Sequence, residues 1–489
     1  MLDATRIRIA EGASATVGVK LVRNGSSGPV VVTVSRLPAG VTADPLTIDA
    51  ESGTLTLHAA AGVTQGEAAL TVTATGTDHA HDLPLSLLAM GLPGTPDKTF
   101  GSGGALPAPL AGHGESIAIQ PDGKILIAGW VIQGNHADYM VARYLSDGTV
   151  DTSFANGMRI LDPSVLVRPA LALQPDGKII IAETTGGRTP QPAVFRLNAA
   201  DGSRDSQFGV DGREEFDLSD PGGEHSTVLL AVAALPNGNI VVAGHADAIV
   251  NGVTTEQAVV ARITSKGELD EHFGSAGRTF TGLGFPTASF LGLAPQSDGR
   301  IIAVGLAGPD MLMAFAHFGP EGNLDSSSYG GGFFAFAHRS TDIGAAIALQ
   351  PDGKVVAAGG DSNGEGGTYL ARLNGDAASP DDDFGVAGFY TLKLTGGTNF
   401  ATGLALQSDG KYVIVGNTGG QGPFIARILP NQLLDSGFGN AGLAMPVTGA
   451  GASQFEAVAL DADGRIVVTG FRTTASGAPA ELLLYRFWP

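Results

Sequence analysis

The sequence predicts an all-β protein in which a β-sandwich is followed by a seven-bladed β-propeller with terminal-strand (velcro) closure. Three observations predict this fold. Residues 1–90 alternate Val, Thr and Ala between regular turn signals, and a unit of about 55 residues recurs seven times after residue 97. The composition includes 72 Gly and 27 Pro among 489 residues, with 43% hydrophobic residues. Many short strands joined by tight turns have such a composition.

Residues 1–90 are predicted to form an immunoglobulin-like sandwich, because seven short stretches alternate apolar and polar residues between turns. The segment Leu37-Pro38-Ala39-Gly40-Val41 is similar to a turn common in bacterial Ig-like modules. Residues 91–96 hold two prolines and two glycines, which cannot continue a strand, and are predicted to be a linker. The predicted strands are Arg6–Ala10, Ala15–Arg23, Val30–Arg36, Leu46–Ile48, Thr54–His58, Glu67–Ala74 and Asp82–Leu88.

An Asp-x-x-Phe-Gly element is the strongest signal in residues 97–489, the predicted propeller. Its aromatic positions are spaced 54, 54, 65, 56, 55 and 54 residues apart. Each interval also holds one Gln-Pro-Asp-Gly-Lys turn, or a close variant of it, and one Arg or His between apolar neighbours. Three elements in constant order predict seven equivalent four-stranded meanders, the units of propeller blades. The aromatic residues are Phe100, Phe154, Phe208, Phe273, Tyr329, Phe384 and Phe438. The Arg or His residues are Arg143, Arg196, Arg262, His317, Arg372, Arg427 and Arg486.

The repeat array begins with the strand that its last repeat lacks. The array opens with a fourth strand, Gly104–Pro109, before any hairpin, and it ends after a third strand, Leu482–Phe487. We therefore predict that residues 104–110 pair with residues 482–488, because this pairing closes the ring and removes exposed sheet edges.

The D-x-x-F-G, Q-P-D-G-K and A-R-L motifs resemble those of the delta-60 repeat family, β-propeller modules of bacterial surface and secreted proteins. The resemblance covers residues 97–489 and implies a propeller fold, but the role of that family is poorly defined. The sequence departs from the pattern at Ala155, Tyr329, Leu235, Asp461 and His317.

Charge and composition exclude several classes of function. The formal charge of −20 at pH 7 disfavours nucleic acid as a partner, and no apolar run is long enough for a transmembrane segment. The chain has no cysteine, which excludes disulfides and thiolate chemistry. The N-terminus lacks a secretory signal pattern. Because Ig-like modules beside surface-type repeats indicate an exported protein, we expect an extracytoplasmic bacterial protein, secreted or surface-anchored, whose leader is absent from this sequence.

The order of strands assigns two faces to the predicted disc. The repeated turns fall on one face, and the variable connections fall on the other. Because a single ligand needs asymmetry, we place any site on the variable face. Glu183 replaces a glycine there, and it is either part of a ligand pocket or a solvated loop acid. The candidate ligand-binding residues are His113, Glu115, Trp130, Arg168, Glu183, His225, His245, Asp342, Asp361, Asn399, Asn417 and Glu456.

The repeated charged residues are expected to be structural. Each Arg is predicted to fix a turn by pairing with a nearby Asp or with carbonyls, and each Asp to cap its own turn. Calcium is a weaker hypothesis, since neither Asp381-Asp382-Asp383 nor Asp461-Ala462-Asp463 supplies six to eight oxygens. The Gly360–Gly364 match to G-x-S-x-G lies between strands rather than in a nucleophile elbow, and His79 with His81 is too small a ligand set for a metal.

No catalytic constellation emerges, so we expect a non-enzymatic binding or scaffold module that presents an asymmetric loop face to a protein or glycan. The Ig-like domain would then act as a spacer. The alternative is a lyase or hydrolase acting on a polysaccharide, with its site on the same face, since propellers host such enzymes. No cofactor is expected on either interpretation.

Overall fold

A computed structural model describes the chain as strands, turns and two short 3-10 turns, Ala155–Gly157 and Tyr329–Gly331. The chain divides into two compact units, Met1–Ala105 with Gly437–Gly439 and Arg486–Pro489, and Leu106–Ser436 with Asn440–Tyr485. The described residues are 1–23, 27–77, 79–106, 110–134, 136–163, 165, 167–186, 190–219, 226–250, 252–336, 342–361, 367–375, 379–392, 394, 399–419, 422–446, 449, 451–473 and 479–489.

The N-terminal strands form two sheets around one apolar core. They are β1 (Arg6–Ala10), β2 (Ser14–Lys20), β3 (Val30–Ser35), β4 (Val41–Ala43), β5 (Leu46–Ile48), β6 (Ser52–Ala59), β7 (Gly66–Thr75) and β8 (Ala80–Met90). One sheet has the order β1-β8-β7-β3-β5 and the other β2-β6-β4. The core includes Ile9, Leu55 and Leu85, which alternate with more exposed neighbours along their strands, as two packed sheets require.

One strand of this unit falls within the segment that the sequence suggested was a turn. Val41–Ala43 pairs with β6 after a tight turn in which the Val41 N–H donates to the Pro38 carbonyl at 3.0 Å. Gly40 has a φ of +85°, so the turn needs glycine and the strand begins directly behind it. Residues of the predicted linker also pair, because the Gly94 N–H donates to the Trp488 carbonyl at 2.9 Å.

The repeats form antiparallel meanders, and in each one the Pro-Asp-Gly turn, or its variant, connects the first strand to the second. The strands are β9 (Gly112–Ile119), β10 (Ile125–Gln133), β11 (His136–Tyr144) and β12 (Met158–Pro163); β13 (Ala170–Leu173), β14 (Ile179–Thr185), β15 (Gln191–Leu197) and β16 (Arg213–Glu215); β17 (Thr227–Ala234), β18 (Ile240–Val250), β19 (Val253–Ile263) and β20 (Arg278–Thr281); β21 (Ala288–Pro295), β22 (Ile301–Ala307), β23 (Leu312–Phe318) and β24 (Phe333–Ala335); β25 (Asp342–Leu349), β26 (Val355–Asp361), β27 (Thr368–Leu373) and β28 (Phe389–Leu392); β29 (Asn399–Leu406), β30 (Tyr412–Thr418), β31 (Gly422–Ile428) and β32 (Leu443–Ala444); β33 (Ser453–Leu460), β34 (Ile466–Arg472) and β35 (Glu481–Phe487).

The first strands of the repeats contact one another in a closed cycle. β9 contacts β13, each first strand contacts that of the following repeat, and β33 contacts β9 again. We call these seven first strands the inner strands. Antiparallel pairing within each repeat places the Pro-Asp-Gly turns at one end of the inner strands and the variable connections at the other.

The chain segments at the two ends of the array are hydrogen-bonded. The Leu106 N–H donates to the Leu484 carbonyl at 3.1 Å, and the Leu482 N–H donates to the Leu110 carbonyl at 2.8 Å. Farther along, Arg486 forms an ion pair with Asp97 at 2.7 Å, and both side chains are buried. The strand order of the sequence predicts pairing of residues 104–110 with residues 482–488, and the bonds of Leu106 and Leu110 agree with it, whereas residues 107–109 lie outside the described residues.

The repeated Arg, Asp and Phe residues form one structural unit, and the fourth repeat departs from it because His317 stands in place of the Arg. In the first repeat Arg143 Nε lies 2.8 Å from Asp151 Oδ2, and the guanidinium lies over the Phe154 ring at 4.5 Å. Asp151 Oδ1 accepts from the Ser153 N–H at 3.0 Å, which closes the turn. Arg143 also donates to carbonyls of the next repeat, including that of Ala200 at 2.8 Å. The buried charges of Arg143 and Asp151 are therefore paired, as the sequence predicts for the repeated Arg residues.

Candidate functional site

The inner strands enclose a central cavity of about 220 Å3. All seven repeats contribute to its wall, so it is a cavity surrounded by the inner strands rather than a cleft between two elements. The lining residues are Glu115 and Ser116, Arg168 to Leu171, Leu230 to Val232, Leu291 to Leu293, Ala345 to Ile347, Thr402 to Leu404, and Glu456 to Val458.

Three charged side chains line this cavity, and they come from adjacent repeats. Glu456 lies on β33, Glu115 on β9, and Arg168 just before β13. The remaining lining residues are aliphatic, small or hydroxyl-bearing. The charged side chains therefore lie on one side of the cavity, whereas the repeats on the other side contribute no charged side chain to its lining.

Two of these charged groups lack a partner. Within the part of the chain that the structure describes, neither the Glu456 carboxylate nor the Arg168 guanidinium forms a hydrogen bond or an ion pair. Both side chains are only partly exposed. Because half-buried charges are normally paired, an unpaired carboxylate and an unpaired guanidinium in one cavity indicate a place for a polar ligand.

The electrostatics of the cavity act mainly on Glu456. Burial and, as a smaller cause, the negative charge of Glu115 raise the pKa of Glu456 to about 7, although the positive charge of Arg168 opposes both effects. Near neutral pH this carboxyl group therefore exists in both protonation states, and it can accept or donate a proton.

His113 orients Glu115. Its ring is stacked between Trp130, at a centroid distance of 3.8 Å, and Phe471, at 3.6 Å. Its Nδ1 lies 3.2 Å from Glu115 Oε1. Because Phe471 belongs to the last repeat and His113 to the first, the stack also joins the two ends of the ring. Sequence reasoning selected His113, Glu115, Trp130, Arg168 and Glu456, and the structure brings these five residues together.

Other candidates lie between neighbouring repeats instead. Asn417 Nδ2 donates to the Phe455 carbonyl at 3.1 Å, and the Phe455 N–H donates to Asn417 Oδ1 at 2.9 Å. His245 Nδ1 lies 3.0 Å from Ser289 Oγ, and burial lowers the pKa of His245 while the charges of Glu256 and Asp247 oppose that effect. Asn417 and His245 therefore hold the inner strand of the following repeat and are not part of the cavity lining.

The remaining candidates are placed as follows. Asn399 is buried, its Nδ2 donates to the Leu394 carbonyl at 3.1 Å, and its Oδ1 has no partner among the described residues. Asp342 and Asp361 are paired in register on β25 and β26, and their side chains lie outside the described part of the structure. His225 also lies outside the described residues.

Glu183 occupies a position where the other repeats have glycine. At four such positions, Gly129, Gly244, Gly305 and Gly470, an added Cβ would lie 1.9–2.0 Å from a carbonyl oxygen of the inner strand. In the second repeat the Cβ of Glu183 is present, and inner strand β13 has four residues where β9 has eight. The glutamate is therefore compatible only with a shortened inner strand.

Glu183 is fully buried and outside the central cavity. Neither carboxylate oxygen has a hydrogen-bond partner among the described residues. Burial raises the pKa of Glu183 well above its ordinary value, and the nearby charge of Asp162 raises it further while Arg213 opposes this. Arg213 itself pairs with Asp162 at 2.6 Å. A neutral Glu183 can donate its proton to Asp162, which makes this a buried acid of the second repeat and not a solvated loop acid.

The structure offers little for a metal. Within the described ranges, no group of three or more His, Asp or Glu side chains is arranged to hold a metal ion. The Asp residues of the repeated turns use their oxygens for capping and ion pairing, as Asp381 does with the Asp383 N–H and Arg372. In the described part of the chain, no helix has the length and hydropathy needed to cross a bilayer.

Sequence reasoning did not identify the apolar wall of the cavity or the partners of the chosen residues. Leu230, Leu291 and Leu404 are ordinary strand residues in the sequence, and only ring closure brings them together. Phe471 could have been found, because it follows the conserved glycine position as Trp130 does in the first repeat.

Comparison with known proteins shows β-propeller repeats. Five segments match the family model described as "Domain of unknown function (DUF5122) beta-propeller": residues 120–154, 174–208, 235–273, 350–376 and 407–438. The matched segments run from the Pro-Asp-Gly turn toward the aromatic residue of the next turn. No curated protein matches the chain.

Similar solved structures are remote. Sqt1 from Chaetomium thermophilum is 11% identical, with 78% of this chain and 87% of that chain covered and a TM-score of 0.40. An ulvan polysaccharide lyase is 13% identical, with 78% and 94% covered and a TM-score of 0.38. A variant of the NanB sialidase from Streptococcus pneumoniae is 9% identical, with 97% and 95% covered and a TM-score of 0.37. Similarities of this size carry no argument about function.

Proposed function

We propose that this chain is an extracytoplasmic binding module in which a seven-bladed, delta-60-like propeller with velcro closure presents its variable face to a partner. An Ig-like domain at residues 1–90 acts as its spacer. The closed cycle of seven inner strands and the hydrogen bonds between residues 104–110 and the C-terminal strand support this architecture. The ligand site is the central cavity with Glu115, Glu456 and Arg168.

One observation carries this proposal. Among the described residues, Glu456 and Arg168 have no hydrogen-bond or ion-pair partner, and they line the same half-buried cavity, with Glu115 held beside them by His113. A ligand that both donates and accepts hydrogen bonds would satisfy both groups. Sugar hydroxyls do both, so a glycan fits this set better than a purely cationic or purely anionic group. A protein partner remains the other outcome of the test below.

A binding screen tests the proposal. The full chain is applied to a glycan array and used in pull-downs from cell-envelope extracts, beside the double variant Glu456→Gln/Arg168→Gln. Lys266→Gln/Glu268→Gln serves as the matched control, because both residues are exposed in a turn of the third repeat. We expect specific glycan binding that the cavity variant loses by at least tenfold and the control retains. Binding that is equal in all three proteins would refute the cavity as the site.

A polysaccharide-active enzyme is the second candidate, and the pKa of Glu456 favours it specifically. A carboxyl group with a pKa of about 7 beside a second carboxylate is suited to general acid or base catalysis. Incubation of bound glycans with the protein, followed by reducing-end and unsaturated-product assays, separates the candidates. Product formation that Glu456→Gln abolishes without loss of binding would end the binding-only interpretation. Glu183 is the less suitable acid, because it lies outside the cavity lining.

The extracytoplasmic location is tested by fractionation of cells that express the natural full-length gene. We expect the protein in the culture medium or the envelope fraction. Recovery in the cytosolic fraction alone would contradict this part of the proposal.

A further inference from the structure

The shape of the cavity limits how a ligand enters. Strands from all seven repeats surround it, so a polymer cannot lie across it as it would in an open groove. Its volume of about 220 Å3 is below the roughly 300–1,000 Å3 typical of drug-sized pockets. A glycan can therefore reach the charged residues only with one end, and only about one sugar residue fits.

The polar groups of the cavity lie on one side. Glu456, Glu115 and Arg168 come from the seventh, first and second repeats. Neighbouring hydroxyls of one sugar ring can donate to the carboxylates and accept from the guanidinium. The two carboxylates disfavour an additional negative charge, and Arg168 disfavours an additional positive charge. This side of the cavity selects a neutral sugar.

The opposite side is aliphatic. Leu230, Leu291, Ile347 and Leu404 come from the third to sixth repeats. Among the described lining residues of these repeats, Thr402 has the one polar side chain, and its hydroxyl already donates to the Phe455 carbonyl at 2.7 Å. Farther toward the Pro-Asp-Gly turns, the inner strands expose more aliphatic side chains: Ile119, Leu173, Ala234, Pro295, Leu349, Leu406 and Leu460. A hydroxymethyl group placed here would lose its hydrogen bonds to water without replacement.

We propose that the cavity binds the terminal residue of a glycan end-on and selects a neutral 6-deoxyhexose, whose hydroxyls contact Glu456, Glu115 and Arg168 and whose methyl group contacts the aliphatic side. The inference rests on the proposed glycan-binding function and adds the substrate class. Leaving one buried hydroxyl unsatisfied corresponds to about a 5- to 100-fold loss of affinity, which sets the expected selectivity.

Three sugars that differ only at carbon 6 provide the test. Methyl β-D-fucopyranoside, methyl β-D-galactopyranoside and methyl β-D-galactopyranosiduronate carry a methyl, a hydroxymethyl and a carboxylate group. Titration calorimetry with the full chain is expected to give the fucoside at least fivefold tighter binding than the galactoside, with the galacturonate weakest. The variant Leu404→Ser is expected to show a smaller ratio between its affinities for the fucoside and the galactoside. Circular dichroism checks that this variant folds. L-Leucine is included as a zwitterionic probe.

End-on binding is tested with two disaccharides. One disaccharide has D-fucose at its non-reducing end. The other has D-fucose at its reducing end, where the second sugar is attached to one of the fucose ring hydroxyls. We expect the first to bind within threefold of the methyl fucoside and the second at least tenfold more weakly. Equal binding of both disaccharides would contradict end-on entry.

The outcomes separate the inference from the proposed function. If glycans bind through Glu456 and Arg168 but the three sugars do not show the expected order of affinities, the inference is overturned and the proposed function stays intact. Galacturonate or L-leucine as the tightest ligand would also overturn it, because the charged side would then select a charged group. Absence of any glycan binding would overturn the inference together with the glycan-binding part of the proposed function, and the pull-downs would still test a protein partner.

Discussion

Replacement of Glu456 by Gln is expected to change how stability depends on pH. Burial and the charge of Glu115 raise the pKa of Glu456 from 4.5 to about 7, so the folded protein holds this proton more tightly than the unfolded chain does. The contribution of this group to the free energy of unfolding is therefore fully present below pH 4.5. It is lost as the pH rises through 7.

The magnitude follows from the two pKa values. A difference between 4.5 and about 7 corresponds to an upper value of about 3 kcal/mol, and partial exposure of the side chain reduces it, so we expect about 1–3 kcal/mol. Glu456→Gln has no charge to bury. Its free energy of unfolding, relative to that of the natural protein, should therefore rise by this amount between pH 4.5 and pH 8.

Urea unfolding followed by circular dichroism at pH 4.5, 6, 7 and 8 measures this difference. Glu268→Gln is the control, because Glu268 is exposed in a turn, and its difference from the natural protein should stay constant within about 0.5 kcal/mol. A difference for Glu456→Gln that is the same at pH 4.5 and pH 8 would refute the assigned burial of its charge.

Three further changes test the frame around the cavity by thermal and urea unfolding. Asp97→Asn leaves its buried arginine partner without a counter-charge and should lower the free energy of unfolding by about 3–5 kcal/mol. Asp122→Asn, in an exposed turn, should lower it by less than about 1 kcal/mol. Equal losses would contradict a stabilising role of the buried ion pair. Gly416→Ala places a Cβ 2.1 Å from a carbonyl oxygen and should cost at least about 1–3 kcal/mol, whereas Gly319→Ala, with its nearest atom at 3.8 Å, should be nearly neutral. Glu183→Gln removes a buried carboxyl group whose charged form has no hydrogen-bond donor among the described residues. Its free energy of unfolding, relative to that of the natural protein, should rise by about 1–3 kcal/mol between pH 5 and pH 9, because the raised pKa of Glu183 makes the natural protein lose stability as the pH rises; a lower value than that of the natural protein at both pH values would contradict this.

The candidate site was only partly accessible to sequence reasoning. Glu115, Glu456 and Arg168 could be selected because polar residues at the start of an inner strand interrupt an otherwise apolar pattern. Asn417 and His245 were selected as polar residues near the ends of second strands, and they contact the next repeat instead. The sequence does not show which of the selected side chains line the cavity, because this depends on which way a side chain points in a closed ring.

Sequence by itself determined the all-β class, the repeat count in the chain and the pairing of its ends. These features depend on spacing and order: alternation sets strands, Pro-Asp-Gly and Asp-x-x-Phe-Gly set turns, and an unmatched strand at each end needs a partner. Only the tertiary structure decided that Glu456 and Arg168 line one cavity without a hydrogen-bond or ion-pair partner among the described residues, and that Glu183 is buried. Burial and charge pairing depend on residues hundreds of positions apart, and these come together only when the inner strands close into a ring.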